Sequence, residues 1–289
     1  LAPIHTVTNV ATDHNQITMD LMKRIADKHG LVCLLHEKPF AGVNGSGKHN
    51  NWSMTTNKGK NLLEPGKKPF ENKTFLLFLS AIIKAVDEYQ DLLRLSVASA
   101  GNDHRLGGNE APPAIISMFI GSDLKKVLKC IENDLPYDED ILSRMDIDVD
   151  VLPSFMKDTT DRNRTSPFAF TGNKFEFRML GSTCNIACPN TILNTIVANS
   201  LCDYADILET NSNIDETINQ IIKDTMKKHS RIIFNGNNYA EEWVIEAERR
   251  GLSNFKTAVD VLPHYVDEKN IKLFEKFNVY TKEELQSRC

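Results

Sequence analysis

Long hydrophobic runs are scarce in this sequence of 289 residues. The longest, Phe75 to Ile83, already contains Ser80 and stops at Lys84, well short of the roughly 20 residues a bilayer span needs. No membrane helix is expected. Glycine and proline are sparse, at 14 and 11 residues, which excludes collagen-like and low-complexity chains. An excess of charge is also lacking: 34 basic against 39 acidic residues leave −5, which argues against nucleic acid as a partner. Cysteine is limited to six scattered residues in a chain large enough to bury a core without staples, so a reduced, cytoplasmic setting is expected. The first residue is Leu1 and no charged-then-apolar signal segment follows, which suggests a piece of a longer chain. What remains, 41% hydrophobic and 25% charged residues, is ordinary for a globular protein.

Ile17, Leu21, Met22 and Ile25 recur at helical spacing, predicting an amphipathic helix from Asn15 to His29, with a buried strand from Leu31 to Leu35. Pro39 to Gly47 reads as a loop, Trp52 to Thr56 as extended chain, and Lys58 to Pro69 as a second, basic loop. Lys73 to Leu95 has the periodicity and length of one central helix. Asn102 to Pro113 is expected to be irregular, Ala114 to Ile120 extended and Ser122 to Asn133 helical. Met145 to Val151 alternates like a half-buried strand, and Phe175, Phe177 and Met179 form a second period-two face. From Asn190 the pattern turns helical, in stripes such as Ile192, Ile196, Val197, Leu201, Tyr204 and Leu208. Further helices are expected from Asn238 to Arg250 and from Asp267 to Phe277. Strands and helices therefore mix up to about residue 185, after which helices dominate.

Three constellations could carry chemistry. Gly42 to His49 nearly completes a phosphate-cradling P-loop, but His49 stands where Ser or Thr must hold magnesium, and Asn50, Asn51 and Trp52 make a poor first helical turn. A Gly-rich loop delivering His49 to a metal, or a merely structural histidine, are the two readings that remain. Asn102 to Pro113 sets Arg105 and Glu110 in a loop pinned by two prolines, either as a solvated ion pair or as a substrate-gripping arginine beside a proton-accepting carboxylate. Arg162, Arg164, Lys174 and Arg178 place four cations within 17 positions of an acidic chain. Glu176 and Arg178 lie two apart on an expected strand, so both project from the face opposite Phe175, Phe177 and Met179. That face is either a metal-plus-phosphate site or a charged solvent face.

Other patterns carry less. Asp146, Asp148 and Asp150 mimic the start of a calcium loop, but Val151 stands where Gly is required and Lys157 where the closing Glu should be. Cys184 and Cys188 find no second pair or neighbouring His to complete a zinc set. Lys223, Lys227, Lys228, His229 and Arg231 crowd one helix end, where cations complement the dipole.

Taken together, Asn44 to His49 (Asn-Gly-Ser-Gly-x-His), Glu110 to Pro112, Arg162 to Arg164 and Glu176 to Arg178 resemble, in order, the catalytic domain of the glutamine synthetase family. Glu37 to Val43 and Ser166 to Gly172 resemble its large type III branch. The resemblance implies an α+β fold: a curved, mainly antiparallel sheet backed by helices, with residues 1–209 a partial catalytic domain and 210–289 a helical C-terminal region. It also implies an ATP-dependent ligase that phosphorylates glutamate's side-chain carboxylate, lets ammonia displace the phosphate, uses Mg2+ or Mn2+, and assembles as a homo-oligomeric ring. By position, His49 and Glu176 match ligands of the metal that bridges ATP's phosphates, and Asn44 and Gly45 match the glutamate-binding loop. Arg105 and Arg178 match arginines that hold the substrate carboxylate or the transferring phosphoryl group. Glu110 matches the flap glutamate that shields the acyl-phosphate and helps deprotonate the amine, Arg164 matches a phosphate-side catalytic arginine that also meets the nucleotide, and Ser53 and Lys174 fall at nucleotide-side positions.

The chain also departs from the family. Asn51 stands where shorter members carry a second histidine. The family's other metal-binding glutamates, and the small domain that closes the neighbouring subunit's site, precede the segment that Leu1 opens, so the 289 residues alone are expected not to turn over. Alternatives are a γ-glutamyl-amine ligase of the same superfamily and a non-catalytic structural or regulatory relative.

Overall fold

The computed structural model of the protein describes residues 6–109, 111–136 and 165–289. Four strands, β1 (Gly47–Trp52), β2 (Met118–Phe119), β3 (Phe168–Phe170) and β4 (Phe175–Gly181), form one sheet in the order β1-β4-β3-β2. β4 runs antiparallel to both β1 and β3, whereas β2 lies parallel to β3. Alternation explains the inner face: Phe175, Phe177 and Met179 are fully buried. Phe168 stacks on Phe175 with ring centroids 4.7 Å apart and meets Phe177 edge-on at 6.0 Å. These rings give the short strands much of their packing area.

Helix α1 spans Thr8–Lys28, and α2 (Lys73–Glu88) backs the sheet, where Phe75 meets Phe170 with centroids 6.0 Å apart. Asn72 caps α2 by accepting from the Phe75 amide at 3.1 Å. The expected single helix from Lys73 to Leu95 is interrupted at Tyr89 and resumes as α3 (Gln90–Leu95). Partners from the C-terminal region hold both sides of the break. Asp87 accepts from Arg231 Nε at 2.8 Å and bonds His229 Nδ1 at 2.8 Å, and Gln90 Oε1 takes the Ser253 amide at 2.7 Å. Tertiary contacts override helix propensity there.

Short α4 (Ala100–Arg105) and α5 (Ser122–Glu132) follow, then α6 (Ala187–Glu209), α7 (Ile214–His229), α8 (Glu241–Arg249), α9 (Ala258–Val261), α10 (Glu268–Lys276) and α11 (Lys282–Gln286). The C-terminal helices share one hydrophobic core with the sheet, running from Trp52 through Phe177 and Trp243 to Leu285. Within it, Trp243 stacks on Phe234 at 3.8 Å.

Several expectations need correction. The first helix begins at Thr8, not Asn15, and buries none of its residues. Leu31 to Leu35 is not a strand: Leu31 and Val32 are 67% and 84% exposed, and no described residue pairs with the segment. A strand is stable only beside a hydrogen-bonded neighbour, which composition cannot reveal. The extended segment around Trp52 lies earlier, at Gly47–Trp52, and Thr55 beyond it makes only an isolated bridge to Asn61. Asn102 to Pro113 is partly helical, because Ser99 caps α4 by accepting from the Asn102 amide at 3.3 Å. Of Ala114 to Ile120, only Met118–Phe119 is strand. Met145 to Val151 lies outside the described residues.

Candidate active site

The β1–β4 ladder builds the site. Lys48 pairs with Leu180 and Asn50 with Phe177, so His49 alone spans Arg178 and Met179, a β-bulge with the extra residue on β4. Beyond it, Asn51 stands opposite Glu176. The bulge brings the His49 Nδ1 to 3.8 Å from Glu176 Oε2, although 127 positions separate the two residues. The side chain of His49 is 48% exposed and that of Glu176 is 19% exposed, so the pair is reachable from solvent. Partial burial lowers the His49 pKa, and the charges of Arg178 and Arg105 lower it further against the opposing pull of Glu176. The neutral imidazole, the form that binds metals, is favoured at pH 7.

Arg178 is nearly buried and fixed on two sides. Its Nε and Nη2 donate to Glu176 Oε2 at 3.2 and 3.0 Å, and Nη1 donates to Thr165 Oγ1 at 2.7 Å. Arg105, the last residue of α4, lies beneath the bulge. Its Nη1 donates to the carbonyls of Met179 and Leu180, and Nη2 to that of Arg178, all at 3.2 Å. This clamp meets the Gly loop directly: a Cβ on Gly47 would overlap the Arg105 guanidinium. The clamp therefore requires glycine at that position.

Asn44 and Gly45 lie in the loop ahead of β1, and Asn109 Nδ2 donates to Asn44 Oδ1 at 2.5 Å, latching that loop to the segment just before Glu110. Ser53 and Lys174 lie at the other end of the ladder, where Trp52 pairs with Phe175. Ser53 Oγ is 3.0 Å from both Asn61 Oδ1 and the Asn173 carbonyl, tying the exit of β1 to the β3–β4 turn. Four residues along a strand separate Ser53 from His49 by about 13 Å. The structure thus groups His49, Glu176, Arg178 and Arg105 closely, with Asn44 and Gly45 on one flank and Ser53 and Lys174 on the other. Glu110 and Arg164 lie outside the described residues, as do Arg162 and the Asp146, Asp148 and Asp150 pattern.

One buried acid escaped the sequence reading. Glu37 is 3% exposed, and its Oε1 accepts from the Thr183 amide at 3.0 Å and from the Thr183 hydroxyl. Burial works to raise its pKa, but those hydrogen bonds, one from its own amide and the charge of His36 hold it below the ordinary carboxylate value. A Cβ on Gly181 would lie 2.6 Å from Glu37 Cγ, so this acid packs tightly against the end of β4. No local spacing could have signalled it, because Thr183 is 146 positions away.

Two ligands within reach of one cation are an incomplete set. Among the described residues, no third His, Cys, Asp or Glu joins His49 and Glu176 in a metal-ligand group. Also among the described residues, no helix is long and apolar enough to cross a membrane.

Known proteins place this geometry in context. The family model described as "Glutamine synthetase, catalytic domain" matches residues 4–116, and "Glutamine synthetase C-terminal domain" matches residues 217–289. A Type-3 glutamine synthetase of Dictyostelium discoideum is 52% identical over 291 residues, covering all of this chain and 40% of its own length. A glutamine synthetase of Butyrivibrio fibrisolvens is 51% identical over 296 residues, covering 100% of this chain and 41% of its own length. The chain therefore spans about two fifths of the length of these relatives. A solved structure described as "Apo GmaS without ligand" superposes with a TM-score of 0.50 at 15% identity, covering 96% of this chain and 48% of its own, which supports the fold. Two family models in chain order and relatives similar over the whole of this chain lead to one conclusion: the chain belongs to the glutamine synthetase family.

Proposed function

We propose that the intact protein joins ammonia to the side-chain carboxylate of glutamate at the expense of ATP, in the cytoplasm and as a homo-oligomeric ring. In this reading, residues 1–209 supply part of the catalytic domain and 210–289 a helical C-terminal region. The observation that carries the proposal is the 3.8 Å approach of His49 Nδ1 to Glu176 Oε2 beside Arg178, in a chain of this family. Donors bound to one ion at about 2.1 Å each can be at most about 4.2 Å apart, so both atoms fit a shared Mg2+ or Mn2+. The remaining ligands are then supplied from outside the described residues.

A divalent ion there would neutralise phosphate charge during transfer. The chain's own residues supply positioning and further positive charge. Arg178, braced between Thr165 and Glu176, holds its guanidinium at a fixed orientation toward the phosphoryl group or the substrate carboxylate. Arg105 shares with Arg178 the task of holding the substrate carboxylate or the phosphoryl group, and its bonds to the β4 carbonyls also hold the bulge that aims Glu176 and Arg178. Asn44 and Gly45 hold glutamate, Glu110 shields the acyl-phosphate from water and accepts the amine proton, and Ser53, Arg164 and Lys174 face the nucleotide.

The test is ATP-dependent glutamine formation by the intact protein, with ammonia compared against larger amines. Activity with ammonia that falls at least about 100-fold in Arg178→Ala is expected, as for loss of one charge-stabilising donor. Preference for a larger amine, or an unaffected Arg178→Ala variant, would overturn the reading.

A further inference from the structure

A second cluster of ligating groups lies away from the β1–β4 ladder, where the C-terminal segment packs on α3. Asp91 of α3, His264 and Asp267 each offer a ligand atom, and these atoms lie within 4.8 Å of one another. The cluster mixes an imidazole with two carboxylates, a donor set suited to a divalent transition-series ion such as Zn2+ or Mn2+.

Independent observations show unmet demand for a cation. Asp91 is 5% exposed; its Oδ2 accepts from Asn270 Nδ2 at 3.0 Å and pairs with Lys269 Nζ at 3.0 Å, while its Oδ1 has no hydrogen-bond partner among the described residues. Asn270, fully buried beside it, gives its amide hydrogens to Asp91 and to the His264 carbonyl, at 2.7 Å, and leaves its own Oδ1 likewise unpartnered. Two buried acceptors without donors, on side chains that are hydrogen-bonded to each other, are costly unless something positive satisfies them. Lys269 neutralises one carboxylate oxygen of Asp91 but reaches neither orphan. Asp267 adds a further sign. It occupies the N-cap of α10, yet its side chain makes no capping bond and turns back to His264 Nδ1 at 2.6 Å. A residue suited to capping thus faces the cluster instead.

We propose that Asp91, His264 and Asp267, with Asn270 Oδ1 as a further oxygen donor, form a second divalent-cation site, for Zn2+ or Mn2+, that pins the C-terminal helices to α3. Donors held at about 2.0–2.2 Å around one tetrahedral ion lie about 3.4 Å apart, so atoms now as much as 4.8 Å apart must close by up to about 1.4 Å. His264 and Asp267, with side chains 32% and 44% exposed, have the freedom to do so. The ion displaces the His264–Asp267 hydrogen bond and takes up the free oxygens.

The test uses chelator-stripped protein carrying His49→Ala and Glu176→Gln, which silences the candidate catalytic site. Titration calorimetry with Zn2+ and Mn2+, and Mg2+ as the comparison ion that imidazole suits poorly, is expected to show a tight site and a raised Tm. Adding His264→Ala or Asp267→Asn is expected to weaken that site at least about tenfold. X-ray absorption at the zinc edge on the same background is expected to show nitrogen and oxygen ligands with an imidazole signature. Absence of binding in this background, binding unmoved by both substitutions, or a sulfur-containing shell would overturn the proposal. Because His49 and Glu176 are already removed, none of these outcomes touches the proposed ligase site.

Discussion

Asp103 serves two partners at once. Its Oδ1 takes Arg94 Nη2 at 2.6 Å, and its Oδ2 takes the Ala258 amide at 2.5 Å. The Arg94 side chain is 1% exposed, and its Nε donates to the Phe255 carbonyl at 2.8 Å. Removing the carboxylate strands a buried guanidinium, so Asp103→Ala is expected to cost about 3–5 kcal/mol, read from the urea unfolding midpoint. A loss below about 1 kcal/mol would show that water reaches Arg94. Glu37 governs a different variable. Because its folded pKa lies below the ordinary value, the folded state favours the carboxylate. That contribution is fully present above the unfolded pKa of about 4.3 and is lost as pH falls through the folded value. Glu37→Gln is therefore expected to flatten the acid limb of a stability profile below about pH 4.3, and an unchanged slope would contradict this. In the sequence, Glu37 opens a block that resembles the type III branch, with no local signal that its side chain is buried. His49 and Glu176 were legible there as candidates, but only the family resemblance paired them, since no periodicity links residues so far apart.

At the scale of elements, period and length were readable where one face is buried by partners within the chain. Phe175, Phe177 and Met179 announced β4, and the stripe from Ile192 to Leu208 announced α6. Failures cluster where a partner decides the outcome. The break at Tyr89 is set by Asp87 and Gln90 contacts, and α4 hides in a Gly-rich stretch because its stability comes from the Ser99 cap and the Arg105 clamp. α1 illustrates the reverse: its apolar stripe of Ile17, Leu21, Met22 and Ile25 forms a helix that buries nothing. Hydrogen exchange is expected to find α1 amides far less protected than those of α2, whose inner face is buried. Equal protection would mean that the stripe is covered. The clamp is testable too. Gly47→Ala pushes a methyl group into Arg105 and within 3.0 Å of the Leu180 carbonyl, and is expected to cost about 1–3 kcal/mol in urea unfolding.

For the whole molecule, the continuous core is the decisive feature. Trp52 on β1 and Trp243 on α8, the two tryptophans, lie in the same buried cluster although one belongs to the sheet and the other to the C-terminal helices. The residues of this shared core are expected to unfold together, so Trp52→Phe and Trp243→Phe variants should each report a single fluorescence transition at matching midpoints once shifts in overall stability are subtracted. Separate transitions would mean that residues 1–209 and 210–289 fold as independent units. Helical periodicity made the change from mixed strands and helices to helices near residue 185 legible, but not this sharing of one core.

The most direct measurement is Mn2+ binding to the intact protein, followed by electron paramagnetic resonance, alongside glutamine formation. The pairing of His49 with Glu176 predicts that His49→Ala and Glu176→Gln each weaken one Mn2+ per subunit at least about tenfold, and that glutamine formation falls with them. Unchanged Mn2+ affinity and activity in both variants would contradict it.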